Sequence, residues 1–513
     1  MILEMILDIF EVLAGSRVAL IFVVLAFLGV STNRGLALFN WCALSLKSFP
    51  LQWAVLIIVV QGVFVIFLEL RVFQDFPLSS DEFAYQFQAK TFALGRIVNP
   101  QPPRPDLFEL RRVLIKDGIW VSQYPPGWPL LLCIAMIAGA PVWIVQPLVG
   151  SLSLIFIYLI ARRLFGSSCA LLSLFTVAAS PFYLFNAGSY YSHTSCSAAI
   201  LAAVYFSLSA GSRWAPALSG LCGGYAFMIR YFTAALAGLA ALCELRRGKI
   251  NYRIIVSFSF GVLVLFAVNC GYNKFITGQG YLDPQSWFYA RGKLIGFMSY
   301  RNVGRSIDMA ANLIGLYFSW APAITLLLYP LALLAHHRNS ALHWSFVFPI
   351  FLVLGHLFFP SDGVRQYGPR YYYEGYPFLV IAVSGFVLCS QDWWAHNSRR
   401  RTQLLSLYVF SIIAALFFVP DRVSNFQYSV FKRSRMFKEV EARGLTNAVV
   451  FIVDLGDLHL PDFTRNYPDL KGDVVYLLGD KGVECSVAQA LNRSSVYTYS
   501  FNNGSPLVSE VCK

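Results

Sequence analysis

Two adjacent carboxylates, Asp81 and Glu82, are the residues whose type and position point most directly to chemistry. They follow an apolar block at residues 53–72 by a few positions, and ionisable groups near a membrane boundary are costly and usually functional. A carboxylate held there can act as a general base that takes a proton from a substrate hydroxyl. The pair also fits a helix start, with Ser79 or Ser80 as the N-cap and acidic residues in the first turn. The two interpretations are compatible, and the sequence leaves both open.

Four cationic side chains near the ends of apolar blocks are candidates to hold an anion. Arg230 interrupts YAFMIRYFTAAL, Arg370 opens RYYYEGYPFLVI just after Arg365, and Lys274 closes the block that ends in NCGYNKF. A guanidinium suits a phosphate because its fork bonds two oxygens at once. Long basic side chains at helix ends also snorkel to lipid headgroups. Phosphate binding is the favoured role for Arg230 and Arg370, and snorkelling is favoured for Lys274 and Arg365.

Three further residues are weaker candidates for the same site. His193 lies in the polar interruption NAGSYYSHTS, where a lone histidine is more often a structural hydrogen-bonding group than a ligand or a base. Tyr124 of YPPGW and Tyr371 of RYYYEGY are candidates to shape a substrate groove, but any membrane protein carries such an interfacial aromatic belt. Asp81, Glu82 and His193 are the candidate ligands for a divalent metal. The sequence does not require a metal, so the cofactor is unknown.

The elements that must position these residues are membrane-spanning helices. Hydrophobic residues make up 57% of the 513 and charged residues 13%, which excludes an ordinary soluble chain, because soluble domains need charged surfaces. A crossing helix needs roughly 20 mostly apolar residues. The predicted spans, about 11–13 in number, are at residues 17–31, 53–72, 143–161, 168–186, 194–211, 215–229, 231–245, 254–273, 309–333, 343–360, 371–391 and 404–420.

The net charge of +13 follows the predicted membrane topology. Basic residues in short loops mark the cytoplasmic side, and those that gather on one side are Arg34, Lys47, Arg162, Arg163, Arg213, Arg246, Arg247, Lys249, Arg253, Arg399, Arg400 and Arg401. This arrangement requires 215–229 and 231–245 to be two short crossings with Arg230 at the turn between them. We therefore expect no nucleic-acid partner, and we expect the long loops to lie outside.

The chain divides into a predicted transmembrane domain over residues 1–421, with outer loops at 74–126 and 274–308, and a small outer α/β domain over 422–513. In the tail, NAVVFIVDL, DVVYLL and SSVYTYSF fit strands. The block Trp128–Ala138 is too short to cross a membrane and predicts a half-helix. The sequence contains no P-loop, Rossmann or HExxH motif and no internal repeat, so it does not support ATP-driven transport. Whether Cys485 and Cys512 form a disulfide stays open.

The order of several motifs resembles the GT-C superfamily of membrane glycosyltransferases, and more narrowly the bacterial branch related to protein mannosyltransferases and to the aminoarabinose transferase of lipid A. The resemblance covers nearly the whole chain, including a tail similar to the small outer domain of some of these proteins. Gln123 stands where the lipid A branch often has a lysine. The motifs are the carboxylate pair, YPPGWPLLL, ARRLFG, SPFYLFNAGSYYSH, FMIRYFTA, YNKFITGQG and GPRYYYEGYPFL.

The resemblance implies a mainly α, polytopic bundle of GT-C type with an outward-facing cavity and a polyprenyl-phosphate-linked sugar as donor. By position, Asp81 matches the catalytic acidic residue with Glu82 beside it, and Arg370 and Arg230 would meet the donor phosphate. The implied activity is inverting transfer to a glycan, lipid or protein acceptor, in a bacterial inner membrane with the site and the tail on the periplasmic side.

Two other functions stay open at this point. A transporter or flippase of lipid-linked or small polar substrates would also be polytopic, but it should show repeat symmetry. A non-catalytic scaffold would tolerate the loss of Asp81 and Arg370.

Overall fold

Helices dominate the computed structural model, which describes residues 48–209, 213–245, 252–281, 283–288, 313–315, 317–338, 343–356, 366–390, 398–479, 484–502 and 505–512. The predicted span at 17–31, Arg365 and much of the predicted loop 274–308 lie outside these ranges. The helices are α1 (Pro50–Phe67), α2 (Ser80–Ala93), α3 (Gly127–Ile137), α4 (Val145–Phe165), α5 (Ser167–Ala178), α6 (Pro181–Ala187), α7 (His193–Leu208), α8 (Ala215–Ile229), α9 (Tyr231–Leu245), α10 (Tyr252–Thr277), α11 (Pro284–Phe288), α12 (Ala323–Arg338), α13 (Phe348–His356), α14 (Tyr376–Cys389), α15 (Ser398–Leu416), α16 (Val419–Ala442) and α17 (Glu484–Ala490).

Several of these helices are long and apolar enough to cross a membrane. Two bent helix pairs raise the number among the described residues from five to seven, and the pair Ser167–Ala178 with Pro181–Ala187 bends by 66°. The predicted multi-pass, mainly α membrane fold is confirmed. The five straight helical stretches are Pro50–Phe73, Val142–Phe165, Ile255–Thr277, Arg370–Cys389 and Arg400–Ala442.

Fewer full spans are present among the described residues than the dozen predicted, because several predicted spans form helices shorter than 18 residues and one, at 17–31, lies outside these residues. The predicted spans at 194–211, 215–229 and 231–245 correspond to α7, α8 and α9, which have 16, 15 and 15 residues. Arg230 separates α8 from α9 in an extended conformation, with φ −147° and ψ 92°, as the sequence predicted. The short block after YPP forms α3, an 11-residue helix, in agreement with the predicted half-helix.

The first outer loop holds α2 and a small antiparallel sheet. The sheet has the order β1 (Asn99–Pro100), β3 (Ile119–Ser122), β2 (Val113–Lys116). The sequence analysis missed this sheet because strands of two and four residues are too short to show an alternating pattern.

The tail folds as the predicted α/β unit. β4 (Ala448–Asp454) pairs in parallel with β5 (Val474–Leu478) and β6 (Ser495–Asn502), which confirms the three predicted strands. A fourth strand, β7 (Ser505–Cys512), adds antiparallel to β6 at the sheet edge. It was not predicted, and its Pro506 is tolerated there because an edge strand need not donate every hydrogen bond. Cys485, in α17, is disulfide-bonded.

The tail packs directly on the helix that carries the carboxylate pair. One hydrophobic cluster joins Phe83 and Phe87 of α2 with Trp120 of the outer sheet and with Val449 and Phe451 of β4, all of them buried. The burial of these large side chains stabilises the contact at roughly 25 cal/mol per Å² of apolar surface. The position of α2 therefore depends on the tail as well as on the membrane helices.

Candidate active site

The start of α2 is fixed by a reciprocal capping box. Ser79 is the N-cap: its Oγ accepts from the backbone N–H of Glu82 at 3.2 Å. Glu82 Oε2 in turn accepts from the backbone N–H of Ser79 at 2.9 Å and from its hydroxyl at 3.0 Å. The spacing of a serine and a glutamate three residues apart is the sequence signature of this motif. The helix-start interpretation therefore holds for Glu82.

The second oxygen of Glu82 ties α2 to two other parts of the chain. Oε1 accepts from the backbone N–H of Tyr190 at 3.1 Å and from the hydroxyl of Tyr367 at 3.2 Å. Burial raises the pKa of Glu82, and the bonds from Ser79, Tyr367 and Tyr190 act in the opposite direction. With 1% of its surface exposed and two donors at each oxygen, Glu82 is a structural acceptor.

Asp81, its neighbour, faces a different environment. Its side chain is 19% exposed, and the Nε of Arg112 lies 3.8 Å from Oδ1. The hydroxyl of Tyr124 donates to Oδ1, and the hydroxyl of Tyr191 lies 3.5 Å from Oδ2. Burial and the charge of Asp81 raise the pKa of Tyr124, which keeps the hydroxyl protonated as a donor. Asp81 is thus a partly exposed carboxylate held by side chains.

Tyr191 links this carboxylate to Arg370. Nη1 of Arg370 donates to the hydroxyl of Tyr191, and the guanidinium carbon lies 4.4 Å from the centroid of the same ring. The Nε of Arg370 is buried and has no hydrogen-bond partner within the described ranges. One donor of this arginine therefore has no acceptor among the described residues and is available to a bound group.

Arg230 belongs to a second, buried network. Its Nε lies 3.3 Å from Oε1 of Glu374, and Nδ1 of His193 lies 3.1 Å from the same oxygen. Nη1 of Arg230 also donates to the hydroxyl of Ser192 at 3.4 Å, which in turn bonds Tyr85 at 3.0 Å. The break between α8 and α9 places Arg230 here, because the extended residue turns its side chain out of both helices.

Aromatic rings join the two networks into one site. Tyr85 of α2 packs against Tyr124 with ring centroids 4.5 Å apart and ring planes tilted by 34°. The ring of Tyr371 lies 5.8 Å from the guanidinium carbon of Arg230 and 5.7 Å from that of Arg370. The arrangement combines one partly exposed carboxylate with two arginines, which are the groups needed to deprotonate a hydroxyl and to bind a phosphate.

The structure brings together most of the predicted site residues. Asp81, Tyr124, Arg370 and Tyr371 form one side, and Arg230 with His193 forms the other, although His193 is buried against Glu374. Lys274 is exposed near the end of α10 and contacts none of these residues within the described part of the chain. Arg365 lies outside the described residues.

The predicted metal ligands do not come together. Glu82 uses both oxygens for hydrogen bonds, and His193 faces Glu374 instead of Asp81. Among the described residues, no group of three His, Cys, Asp or Glu side chains could hold a metal ion.

Four participants were missed in the sequence: Tyr85, Arg112, Tyr191 and Glu374. Tyr191 and Glu374 both stand inside quoted motifs, SPFYLFNAGSYYSH and GPRYYYEGYPFL. A buried arginine needs a counter-ion, so Arg230 was a signal that a carboxylate such as Glu374 should exist. No local signal identifies Arg112, which reaches Asp81 from the turn before β2.

Comparison with known proteins shows one family-model match and several structures of similar fold. Residues 128–272 match the family model described as dolichyl-phosphate-mannose-protein mannosyltransferase. That segment holds α3 to α9 and most of α10, and with them His193 and Arg230. No curated protein sequence matches the chain.

Two solved structures share the fold over most of both chains. ArnT from Cupriavidus metallidurans bound to undecaprenyl phosphate superposes with a TM-score of 0.60 at 16% identity, covering 88% of this chain and 93% of that one. The apo state of the same ArnT gives a TM-score of 0.59 at 14% identity with the same coverage. The predicted resemblance to the GT-C superfamily is confirmed, and at these identities the likeness establishes the fold.

Proposed function

We propose that this chain is a membrane glycosyltransferase that moves a sugar from a polyprenyl-phosphate-linked donor to an acceptor on the outer side of the membrane. The observation that carries the proposal is the link from the partly exposed carboxylate of Asp81 through the Tyr191 hydroxyl to Arg370. The fold shared with ArnT, one structure of which holds undecaprenyl phosphate, supports this class of donor.

Asp81 is the proposed base. The bond between the anomeric carbon and the phosphate oxygen breaks while the acceptor oxygen bonds to the same carbon, and the acceptor proton passes to Asp81. Attack from the face opposite the departing phosphate inverts the anomeric centre. Because a sugar linked to a lipid phosphate is already activated, the enzyme needs no nucleotide, which agrees with the absence of nucleotide motifs from the sequence.

The arginines bind and stabilise the leaving group. Negative charge grows on the phosphate as the bond breaks, and positioned cations stabilise this charge most where water is excluded. Arg370 has an unpartnered Nε within the described residues. Arg230 has its Nε on Glu374 and its Nη1 on Ser192, which among the described contacts leaves Nη2 to meet a phosphate beside Tyr371.

The site is proposed to face the periplasm of a bacterial inner membrane. Cys389 at the end of α14 bonds Phe165 O at the end of α4, so these helix ends lie together, opposite Arg370 at the other end of α14. The end that holds Phe165 and Cys389 also carries the basic residues Arg162, Arg163, Arg400 and Arg401. Because basic residues mark the cytoplasmic side, the end that holds Arg370 is proposed to be periplasmic. The acceptor is a glycan, a lipid or a protein.

The test is transfer from a panel of radiolabelled polyprenyl-phosphate sugars in membranes that contain the wild-type chain or Asp81→Asn. Wild type should incorporate label from one donor, and Asp81→Asn should lower the rate by about 10²–10⁴-fold, the range of a general base. Asp106→Asn is the matched control, since Asp106 is an exposed outer-loop carboxylate paired with Arg104, and it should transfer like wild type.

Two results would reject parts of this proposal. Full transfer by Asp81→Asn would show that another group is the base. If wild type transferred no sugar and also failed to bind polyprenyl phosphate, a glycosyltransferase would be excluded and movement of a lipid-linked substrate across vesicles would be the next assay.

A further inference from the structure

Arg465, in the tail, lies at the junction of four separate segments of the chain. Its guanidinium carbon lies 4.6 Å from the ring centroid of Phe76 in the outer loop and 5.5 Å from that of Phe83 in α2. It lies 5.5 Å from Phe437 of α16 and 5.9 Å from Phe463 of the tail. All four distances are within the range of a cation–π interaction.

The same guanidinium donates two hydrogen bonds, one within the tail and one that joins the tail to the loop before α2. Nε donates to Asp462 O at 2.9 Å, and Nη1 donates to Pro77 O at 2.8 Å. Burial lowers the pKa of Arg465 to about 10, so the group stays charged at neutral pH. An arginine can make both bonds at once because its donors are held in a rigid fork.

Two further hydrogen bonds near Arg465 also join the tail to the outer loop. Thr464 Oγ1 donates to Glu109 O at 2.6 Å, and the backbone N–H of Arg111 donates to Pro461 O at 3.4 Å. The tail segment that holds Arg465 thus bonds the outer loop at two further places. Arg112, which lies 3.8 Å from Asp81, directly follows Arg111.

Pro77 lies two residues before the N-cap Ser79 and four residues before Asp81. The capping box fixes the backbone from Ser79 to Glu82, and Leu78 alone separates this turn from Pro77, so we expect a displacement of Pro77 to move the first turn of α2. A shift of about 1 Å in a catalytic group can cost on the order of 10²-fold in rate. The loop is held on one side by the membrane helices, through Glu82 and Tyr190, and on the other side by Arg465.

We infer that Arg465 is a positioning residue of the active site: through Pro77 O and the four rings it sets the position of Asp81, and the tail is therefore a working part of the site. The catalytic part of this inference rests on the function proposed above. The structural part does not, because the order of the loop can be measured without any substrate.

The first experiment measures hydrogen exchange of the full-length protein over residues 74–83. Arg465→Ala should exchange faster there than wild type, including the amides of Glu82 and Phe83 that the cap protects. Arg493→Ala is the matched control, since the guanidinium of Arg493, within the described part of the chain, donates to Leu470 O and Asp473 O of the tail itself, and it should leave this segment unchanged. Equal exchange in both variants would overturn the inference.

The second experiment separates positioning from general damage by kinetics. Arg465→Ala should lower kcat at least tenfold with a donor KM within about twofold of wild type, because Arg370 and Arg230 do not contact Arg465. Arg465→Lys, which keeps the charge but cannot donate to both carbonyls, should give an intermediate kcat. Unchanged kcat, or loss of donor binding together with faster exchange throughout the chain, would overturn the inference. If wild type itself transfers no sugar, the exchange measurement alone decides the structural part.

Discussion

The two carboxylates at the start of α2 are adjacent in sequence but belong to different regions of the molecule. In the inner region, each oxygen of Glu82 accepts one backbone N–H and one hydroxyl, from Ser79, Tyr190 and Tyr367. In the outer region, the described contacts of the Asp81 carboxylate are with side chains, namely the hydroxyls of two tyrosines and the guanidinium of an arginine. Backbone donors cannot turn away, whereas side-chain partners can give way to a substrate. This difference supports a structural role for Glu82 in the inner region and the proposed catalytic role for Asp81 in the outer region.

The two arginines differ in the same way. Arg230 is bound to a fully buried carboxylate, Glu374, that offsets its charge. Arg370 is bound to the hydroxyl of Tyr191, and among the described residues no carboxylate pairs with it directly, the nearest link being to Asp81 across that hydroxyl. Since a cation without a directly paired carboxylate attracts a phosphate more strongly, Arg370 belongs with the outer, reactive region, whereas Glu374 offsets the charge of Arg230.

Among the changes that test this comparison of the arginines, the largest effect is expected from removing Arg370. Arg370→Ala should lower kcat for sugar transfer by about 10²–10³-fold, the usual loss when one group that stabilises developing charge is removed. Arg401→Ala is the control, because Arg401 bonds backbone carbonyls at the far end of the same helix. Comparable activity of the two variants in a transfer assay would break the comparison between the arginines.

The sequence alone predicted the parts of this site that depend on residues close together in the chain. Ser79 and Glu82 stand at capping-box spacing, Arg230 interrupts an apolar run, and the tail strands are short apolar segments. Asp81 and Arg370 were selected with the help of motif order.

The partners of these residues could not be predicted, because they are brought together by helix packing. Tyr191 and Asp81 are 110 positions apart, and Tyr367 and Glu82 are 285 apart. The hydrophobic periodicity of a single helix or strand cannot predict a contact between such distant positions. For the same reason the sequence treated Asp81 and Glu82 as alternatives for one role, and only their surroundings separate them.

A smaller effect should follow from removing the charge that moderates Arg230. Glu374→Gln keeps an oxygen that can accept from Arg230 and His193 but loses the negative charge. Polyprenyl phosphate, the doubly charged product, should then inhibit about tenfold more strongly, because the charge of Glu374 no longer opposes binding of the phosphate beside Arg230. Two unit charges near 4 Å apart interact by roughly 4 kcal/mol at an effective dielectric constant of about 20. Glu439→Gln, at an arginine-paired glutamate in the tail, should leave the inhibition constant unchanged. Weaker inhibition by product would show that Glu374 does not moderate the phosphate site.

A substitution in the inner region, at Glu82, should instead lower the stability of the protein. Glu82→Gln places an NH₂ group where one oxygen stood, and either orientation of the amide leaves one backbone N–H, of Ser79 or of Tyr190, without an acceptor. A buried unsatisfied group costs about 1–3 kcal/mol, so the thermal midpoint in detergent should fall. Asp81→Asn should leave that midpoint near the wild-type value, and an equal fall in both variants would erase the difference between the regions.

The smallest effect is expected at the hydroxyl that joins the outer region together. Tyr191→Phe keeps the ring under Arg370 but removes the oxygen between the guanidinium and Asp81. Hydrogen bonds to charged groups contribute about 1.5–3 kcal/mol, but only the part that changes between ground state and transition state alters the rate, so transfer should slow by about 2- to 10-fold. Tyr231→Phe, which loses a hydroxyl bonded to Asn269, is the control and should keep the wild-type rate. A Tyr191→Phe rate as low as that of Arg370→Ala would contradict this positioning role and would mean that the hydroxyl takes part in the chemistry itself.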